Sequence, residues 1–434
     1  MNAFNYRRFG VWLVSVLLTL PPTMALAADA AEADVAISIT GAAVPELAPF
    51  DAWMTEFLQQ HRVPGGSLAI VRDGRLIYAR GFGLADREQQ LPVQPQSLFR
   101  IASISKPITA VAVLKLIDEG RLKLDDKVVE VLDCLPPSAA EESLDARWRQ
   151  VTVAHCLTHT GGWDRNQSYD PMFIGARIAR ETKCEYPVGP QEILRYQLSQ
   201  PLDFDPGSRY AYSNFGYSIL GRIIEKLTGK TYETSVREAV LAPLGITTAR
   251  IGGSLTEQQA ADEVRYYDIN QAKGRAVVGP GAGTEQVPIS YGVWNHEALD
   301  AHGGWIATSS DLAKFAAAWD SLEDGARRTT LLQPDTVAAM FSPQVAMRAN
   351  SKLGDGGPAY GYGWVLGQNE HGQALAAHSG ALPCTAATLI RLPERTSVAV
   401  LMNLGQSPEG KFISGELDNA IARLATGIEH WPEP

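Results

Sequence analysis

The stretch FRIASISKPITAVAVLKLIDEGRLKLDD, residues 99–126, contains a long apolar segment that follows a serine and a lysine. From 107 to 117 only Thr109 and Lys115 are strongly polar. A helix that is apolar nearly all round is buried in the middle of a domain. Gly120 is the residue type that commonly follows the last turn of a helix. The sequence therefore predicts a buried central helix.

The serine and the lysine at the start of this helix are Ser103 and Lys106. Residues three apart share one face of a helix, and Pro107 suits its first turn. A serine is a weak nucleophile unless a neighbouring base takes its proton. Burial lowers the pKa of a lysine, so a buried neutral amine can be that base. The pair predicts an activated nucleophile, although Ser-x-x-Lys alone arises by chance in a chain of this length.

Two later motifs add polar groups of the kind that acyl transfer needs. Tyr212 and Asn214 lie just before a predicted helix. A phenol can carry a proton to a leaving group, and an amide can hold a substrate carbonyl. The sequence His-Ser-Gly at 378–380 ends a predicted strand, where a small residue lets a substrate backbone pair alongside the strand.

These three motifs, in this order, resemble the serine β-lactamase and penicillin-binding peptidase superfamily. The resemblance is strongest to its class C-like branch, which comprises class C β-lactamases, DD-peptidases of the alkaline D-peptidase type, family VIII esterases and β-lactamase-related serine hydrolases. The segments LTHTGG (157–162), LAPLGI (241–246) and HGGWIATSSDLAKF (302–315) are also similar to that branch. The resemblance covers roughly residues 48–425. It implies an α+β fold, in which an antiparallel sheet is flanked by helices on both faces and carries an inserted, mostly helical subdomain.

The resemblance also implies roles for single residues. Ser103 would be the acylated nucleophile, and Lys106 and Tyr212 would share the general base and acid work. The backbone N–H groups of Ser103 and Ala381 would form an oxyanion hole, in which one donor contributes ~3–4 kcal/mol to stabilising the transition state. No metal or cofactor is implied. The implied substrate-binding residues are Asn214, His378, Ser379, Gly380 and Ala381.

The third motif departs from the Lys-Thr-Gly pattern because it begins with His378, a residue that also occurs at this position among DD-peptidases and uncharacterised hydrolases of the branch. The change removes a permanent charge that would bind a carboxylate, which argues against efficient class C β-lactamase activity. We expect hydrolysis of amide or peptide bonds in a small-molecule or peptide substrate, D-amino-acid-containing or N-acyl-D-amino compounds included. A carboxylesterase of small acyl esters and a slow-turnover penicillin-binding sensor or scaffold remain alternatives. His378 could also be a strand residue whose ring is simply satisfied by its neighbours.

Other functional patterns are weaker. His155 and His159 are four apart, a metal-ligand spacing on a helix, but they lack the glutamate of His-Glu-x-x-His. His296 is followed by a glutamate without a second histidine, and Gly-x-Ser-x-Gly, the α/β-hydrolase elbow, is absent. We therefore expect no metal. The aromatic segment 163–173 is either a wall of the substrate pocket or a packed surface loop.

The order of predicted elements places strands at both ends of the chain. The pattern predicts an α/β sandwich domain at 48–127 and 291–425, and an inserted, mainly helical domain at 128–290 that ends in a polar, Gly-rich loop at 268–290. One sheet would take strands from both parts. The predicted elements are a helix at 50–61, a hairpin at 65–86, a helix at 311–322, strands at 360–367, 373–380, 385–393 and 396–403, and a helix at 409–426.

The first residues predict export. Arg7 and Arg8 precede an apolar run at 9–20, which is short for a membrane span, and Ala-Leu-Ala at 25–27 is a small-residue cleavage site. We expect a signal peptide at 1–27, a periplasmic or secreted protein, and no stable membrane anchor after cleavage. An uncleaved anchor is the alternative.

Composition limits the partners. The 434-residue chain has a formal net charge of −10, 45% hydrophobic residues and nine tryptophans, which is typical of a globular protein with a large core. An acidic chain without Lys/Arg clusters is a poor nucleic-acid binder. The oligomeric state is not predicted.

Four cysteines, Cys134, Cys156, Cys184 and Cys384, allow three complete disulfide pairings. An exported protein meets oxidising conditions, in which disulfides form. Cys134 and Cys184 lie in loop-like surroundings and are the favoured pair. Four free thiols are the alternative, since a core of this size does not need a disulfide.

Overall fold

A computed structural model describes residues 37–134, 144–320, 329–348, 351–369 and 371–432. The predicted signal peptide at 1–27 lies outside these residues. Across the ranges given, no helix combines the length and the apolar character that a membrane crossing requires.

The strands of the described chain form one large sheet and two small ones. They are β1 Ile39–Thr40, β2 Gly65–Arg72, β3 Arg75–Asp86, β4 Leu91–Pro92, β5 Phe99–Arg100, β6 Arg250–Ile251, β7 Lys273–Arg275, β8 Gln286–Pro288, β9 Trp305–Ala307, β10 Val345–Ala346, β11 Ala359–Tyr360, β12 Val365–Gln368, β13 Ala374–Leu382, β14 Thr385–Leu392 and β15 Thr396–Met402.

The α-helices lie mainly between β5 and β9 and at the two ends of the chain. They are α1 Ala48–His61, α2 Ser105–Asp118, α3 Val128–Leu132, α4 Val153–Leu157, α5 Gly175–Thr182, α6 Pro190–Leu198, α7 Asn214–Thr228, α8 Tyr232–Val236, α9 Asp300–Gly303, α10 Ser309–Ala317, α11 Pro334–Met340 and α12 Ser414–Thr426.

The large sheet joins both ends of the chain, as predicted. Its central order is β3-β2-β15-β14-β13, and every neighbouring pair is antiparallel. Asp73 and Gly74 connect β2 to β3 with φ of +49° and +74°. Two positive φ values match the twist of a two-residue hairpin turn, which is why an Asp-Gly pair is suited to this place.

Helices cover both faces of this sheet. Along β15, Val398 and Val400 belong to a core cluster with α1 and α12, whereas Ala399 and Leu401 belong to a second cluster with α2 and α10. Successive side chains of a strand point to opposite faces, so the apolar run of β15 requires cover on both sides. The α+β fold with a helix-flanked antiparallel sheet is confirmed.

The predicted central helix is α2, and nearly all of its residues are buried. Gly120 follows its end with φ of +69°. The core around α2 runs without interruption from sheet residues such as Leu401 to Ile219 of α7. The domain boundaries at 128 and 290 therefore stay a prediction.

Several predicted elements differ in extent. The expected loop at 268–290 contains the antiparallel pair β7–β8, whose three-residue strands are too short to show alternation. The expected strand at 360–367 divides into β11 and β12 because Gly363, with φ of +84°, turns the chain between them. Helices α10 and α12 are shorter than predicted, since α10 ends at Ala317 and α12 begins at Ser414.

All four cysteines are free thiols, so the favoured Cys134–Cys184 disulfide is not formed. Cys134 follows α3 and Cys184 follows α5, and each packs against the main core. Cys384 is fully buried, with its sulfur 3.7 Å from Nη1 of Arg100. The fold is therefore held by its core, as the alternative from the sequence proposed.

Candidate active site

Ser103 lies in a 3-10 turn, Ala102–Ile104, directly before α2. Ala102 has φ of +45°, a conformation that costs a non-glycine residue about 1–3 kcal/mol. The turn leaves the Ser103 side chain half-buried at the N-terminus of α2, while Lys106 is completely buried one turn later. The two residues thus face each other with only the serine open to a substrate.

The hydrogen bonds of Lys106 define the chemistry of this pair. Its Nζ donates to Oδ1 of Asn214 at 2.7 Å and to the carbonyl oxygen of His302 at 2.9 Å, and it lies 3.0 Å from Oγ of Ser103. A neutral amine has two N–H donors and one lone pair. With both donors used, the lone pair is directed at the serine hydroxyl, which is the geometry of a general base.

Burial favours the neutral form of the amine. The pKa of Lys106 is lowered well below its usual 10.5, mainly by burial and further by the positive charge of Arg165, while the Asp170 carboxylate opposes the shift. Burial disfavours the charged form of a lysine because the ammonium loses its hydration. Lys106 is therefore suited to accept the proton of Ser103.

Asn214 is fixed from both ends of its amide. Its Oδ1 accepts from Lys106, and its Nδ2 donates to Oδ2 of Asp170 at 2.6 Å. Ser213 caps α7 by accepting from the N–H of Gly216 at 3.2 Å, which positions Asn214 as the first helical residue. One N–H of the amide remains for a substrate carbonyl.

Tyr212 is half-buried among charged and aromatic groups. The centroid of its ring lies 4.7 Å from Nζ of Lys106, 4.7 Å from the guanidinium carbon of Arg165 and 4.4 Å from the ring of His159. Burial raises the pKa of Tyr212 to about 12, against smaller lowering effects of Arg165 and the Ser103 hydroxyl. The phenol therefore stays protonated at neutral pH and can donate a proton.

His378, the first residue of the third motif, is buried and fully hydrogen-bonded. Its Nδ1 lies 2.9 Å from the carbonyl oxygen of Ser379, and its Nε2 lies 3.1 Å from the hydroxyl of Tyr360. Burial, with the nearby Lys106, lowers the pKa of His378 to about 3. The ring is therefore neutral, as in the alternative interpretation of a strand histidine satisfied by its neighbours.

The next residues of the motif point in different directions. Ser379 donates its hydroxyl proton to Asp418 of α12, on the face of the sheet that α12 covers, and Asp418 also accepts from Thr388. Gly380 lies so close to the turn before Ser103 that a Cβ at this position would overlap the carbonyl oxygen of Ile101. The glycine is required for β13 to approach the nucleophile, and Ala381 follows it, half-buried.

We expect Gly380→Ala to lower kcat/KM by about 100-fold, because the added methyl must push β13 away from the Ser103 turn, and displacements near 1 Å have effects of this size. Gly367→Ala in β12 is the matched control, since its Cβ would meet Cδ1 of Leu375 at an ordinary 3.6 Å. Kinetics and thermal unfolding of both variants test this. Wild-type activity in a folded Gly380→Ala protein would contradict it.

His155 and His159, which have a metal-ligand spacing, bind the backbone instead. Nδ1 of His155 accepts from the N–H of Thr152 at 3.2 Å, and Nδ1 of His159 accepts from the N–H of Ser213 at 3.1 Å. Within the ranges that the structure describes, no group of three or more His, Cys, Asp or Glu side chains could hold a metal ion.

The aromatic segment 163–173 lies at the site, because Arg165 contacts Tyr212 and Asp170 binds Asn214. Of the two interpretations from the sequence, the structure favours the pocket wall. No individual role could be predicted for four residues that contact the predicted ones, and only the position of 163–173 after LTHTGG pointed toward two of them. The four are Arg165, Asp170, Tyr360 and Asp418.

The chain is similar to several known proteins. The sequence model of the Beta-lactamase family matches residues 50–422. Esterase EstB of Burkholderia gladioli is 35% identical over 228 residues, which are 51% of this chain and only 55% of EstB. Penicillin-binding protein 4* of Bacillus subtilis (strain 168) is 27% identical over 359 residues, covering 81% of this chain and 70% of that protein.

A solved structure shares the fold. The D-amino acid amidase of Ochrobactrum anthropi SV3, in complex with L-phenylalanine amide, superimposes with a TM-score of 0.63 and 23% identity. The match covers 88% of this chain and 97% of the amidase. At this identity the likeness concerns the fold.

Proposed function

The chain belongs to the Beta-lactamase family and is a serine hydrolase, and we propose that it cleaves amide or peptide bonds through a covalent acyl-enzyme on Ser103. The observation that carries the proposal is the arrangement around Nζ of Lys106, which donates to Oδ1 of Asn214 and to the carbonyl oxygen of His302 and lies 3.0 Å from Oγ of Ser103. D-amino-acid-containing and N-acyl-D-amino compounds are among the proposed substrates.

The acylation step follows from this arrangement. Ser103 Oγ attacks the substrate carbonyl carbon while its proton passes to Lys106. The backbone N–H groups of Ser103 and Ala381 stabilise the oxyanion of the tetrahedral intermediate. The intermediate collapses as Tyr212 gives its proton to the leaving nitrogen, and Lys106 returns a proton to Tyr212. Water then attacks the acyl-enzyme with the same groups in reverse roles, which restores the Ser103 hydroxyl.

The state of Tyr212 supports amide cleavage. An amine leaves only when its nitrogen is protonated, whereas an alkoxide leaves more readily. A tyrosine with a pKa of about 12 holds its proton until the transition state supplies an acceptor. The site therefore provides the proton donor that amide cleavage requires.

Ester hydrolysis is the second candidate, because EstB is 35% identical over half of this chain. The same serine, lysine and tyrosine would act on an ester without depending on proton donation. Slow turnover of a penicillin adduct, as in a sensor, is a third outcome that the same residues permit. The proposed signal peptide at 1–27 would deliver the protein to the periplasm or the medium in each case.

Parallel assays of four compounds test the proposal: D-phenylalanine amide, L-phenylalanine amide, 4-nitrophenyl butyrate and a fluorescent penicillin. We expect turnover of at least one amide, with a preference for the D-enantiomer. Ester cleavage without any amide cleavage would favour the esterase. A lasting penicillin adduct in the intact-protein mass, with neither amide nor ester turnover, would favour the sensor. No turnover and no adduct would contradict all three.

A further inference from the structure

Arg165 places a half-exposed guanidinium at the active site. Its central carbon lies 4.7 Å from the centroid of the Tyr212 ring. A cation over an aromatic face gains about 0.5–2 kcal/mol, but this contact uses none of the five N–H donors. Among the residues that the structure describes, Arg165 has no hydrogen-bond acceptor and no carboxylate partner.

The two carboxylates of the same segment are committed elsewhere. Asp164 pairs with Nη1 of Arg209 at 2.8 Å. Asp170 accepts from Nδ2 of Asn214 at 2.6 Å and from the N–H of Met172 at 3.1 Å. Asp170 acts on the site electrostatically from this position, but it does not form an ion pair with Arg165. The guanidinium donors therefore remain available to a ligand.

Arg165 also differs from the other basic groups near Tyr212. Burial lowers the pKa values of those groups and favours their neutral forms. In the described chain these neutral groups are Lys106, His159, His302 and His378. An arginine stays charged at every working pH. The permanent positive charge of the site is thus on the 163–173 segment and not on the third motif.

We propose that Arg165 binds a carboxylate of the substrate, so that this enzyme prefers substrates with an anionic group near the scissile bond. The inference rests on the proposed function and adds the charge of the substrate to it. A guanidinium matches a carboxylate with two parallel N–H···O bonds. Because His378 is neutral and already hydrogen-bonded on both ring nitrogens, it does not supply this recognition.

Matched substrate pairs test the proposal and locate the carboxylate. On the acyl side, 4-nitrophenyl hydrogen glutarate is compared with 4-nitrophenyl butyrate. On the leaving-group side, N-acetyl-D-alanyl-D-alanine is compared with its C-terminal amide. We expect Arg165→Gln to reduce the ratio of kcat/KM for the anionic and neutral members by about tenfold or more in one pair. The affected pair identifies the side of the scissile bond that carries the charge.

Arg209→Gln is the control, because Arg209 lies on the neighbouring surface but already pairs with Asp164. It should leave both ratios within about twofold of wild type. Arg165→Lys keeps the charge and loses the planar pair of donors, so it should restore part of the ratio. An unchanged ratio in both pairs for Arg165→Gln would overturn the inference.

A binding measurement separates this inference from the proposed function. Calorimetry on Ser103→Ala protein compares N-acetyl-D-alanine with N-acetyl-D-alaninamide, with and without Arg165→Gln. We expect the anion to lose about tenfold in affinity with Arg165→Gln, and the neutral amide to lose much less. If this holds while wild type hydrolyses neither amides nor esters, the carboxylate site stands and the proposed reaction fails. Equal weakening of both ligands, or none, would contradict the carboxylate site.

Discussion

Ser103→Ala is expected to abolish turnover of every compound that the wild-type enzyme cleaves, with kcat/KM lower by about 10⁴-fold or more. The alanine has no oxygen to form the acyl-enzyme, and Lys106 is then left without a proton to accept. Tyr212 does not replace Ser103 as the nucleophile, since the phenol holds its proton with a pKa of about 12. Steady-state kinetics measure the loss of turnover. The intact mass after incubation with a penicillin measures the loss of the acyl-enzyme.

Ser208→Ala is the matched control for this loss, since Ser208 is an exposed surface serine whose hydroxyl donates to the carbonyl oxygen of Asp205. It should retain wild-type rates and any penicillin adduct. Thermal unfolding shows whether Ser103→Ala is folded. A folded Ser103→Ala protein that still turns over substrate would mean that the nucleophile is another residue.

The motifs could be predicted from the sequence because their chemistry is local. Ser103 and Lys106 are one helical turn apart and an apolar helix follows them, so spacing and hydropathy indicate the pair, and its resemblance to the family's first motif distinguishes it from a chance match. Asn214 could be placed at a helix start because Ser213 is a good N-cap. The buried helix and the sheet with strands from both chain ends follow from the same patterns.

The partners of these residues could not be predicted, because they come from distant parts of the chain. Asp170 meets Asn214 across 44 positions, and Tyr360 meets His378 from a neighbouring part of the sheet. The side chain of Ser379 points to Asp418 only because β13 alternates and α12 covers that face. Sequence patterns give the face that a residue occupies within its own element, and the packing of elements decides which group it meets.

Burial is the property that connects the fold to the chemistry. The same core that makes α2 the centre of the molecule removes water from Lys106 and His378 and half-buries Tyr212, which favours the uncharged form of each. An amine base and a phenolic acid can then coexist at neutral pH, although in water the amine would be protonated. Burying these groups lowers the stability of the folded state, so their effect can be measured as a pH-dependent change in the free energy of unfolding.

Lys106→Met is expected to lower kcat/KM by about 10³–10⁴-fold, because general base catalysis and the hydrogen bond to Asn214 are lost together. The variant also tests the state of the lysine through stability. The folded-state pKa lies below the unfolded value of 10.5, so between these two pKa values unfolding takes up a proton. The free energy of unfolding of the wild type must then rise with pH in this window, by up to ~1.4 kcal/mol per pH unit.

Methionine does not titrate, so the wild type should gain stability relative to Lys106→Met as the pH rises toward 10.5 through the window between the two pKa values of Lys106. The unpaired acceptors left on Asn214 and His302 lower the free energy of unfolding of Lys106→Met by an amount that does not depend on pH. Denaturant unfolding of both proteins at several pH values measures how the difference in their free energies of unfolding changes with pH. Lys115→Met is the control on the same helix, since Lys115 is partly exposed and pairs with Glu119 at 3.2 Å. A pH-independent difference between wild type and Lys106→Met would show that Lys106 is charged in the folded enzyme, and the lysine could then not act as the base.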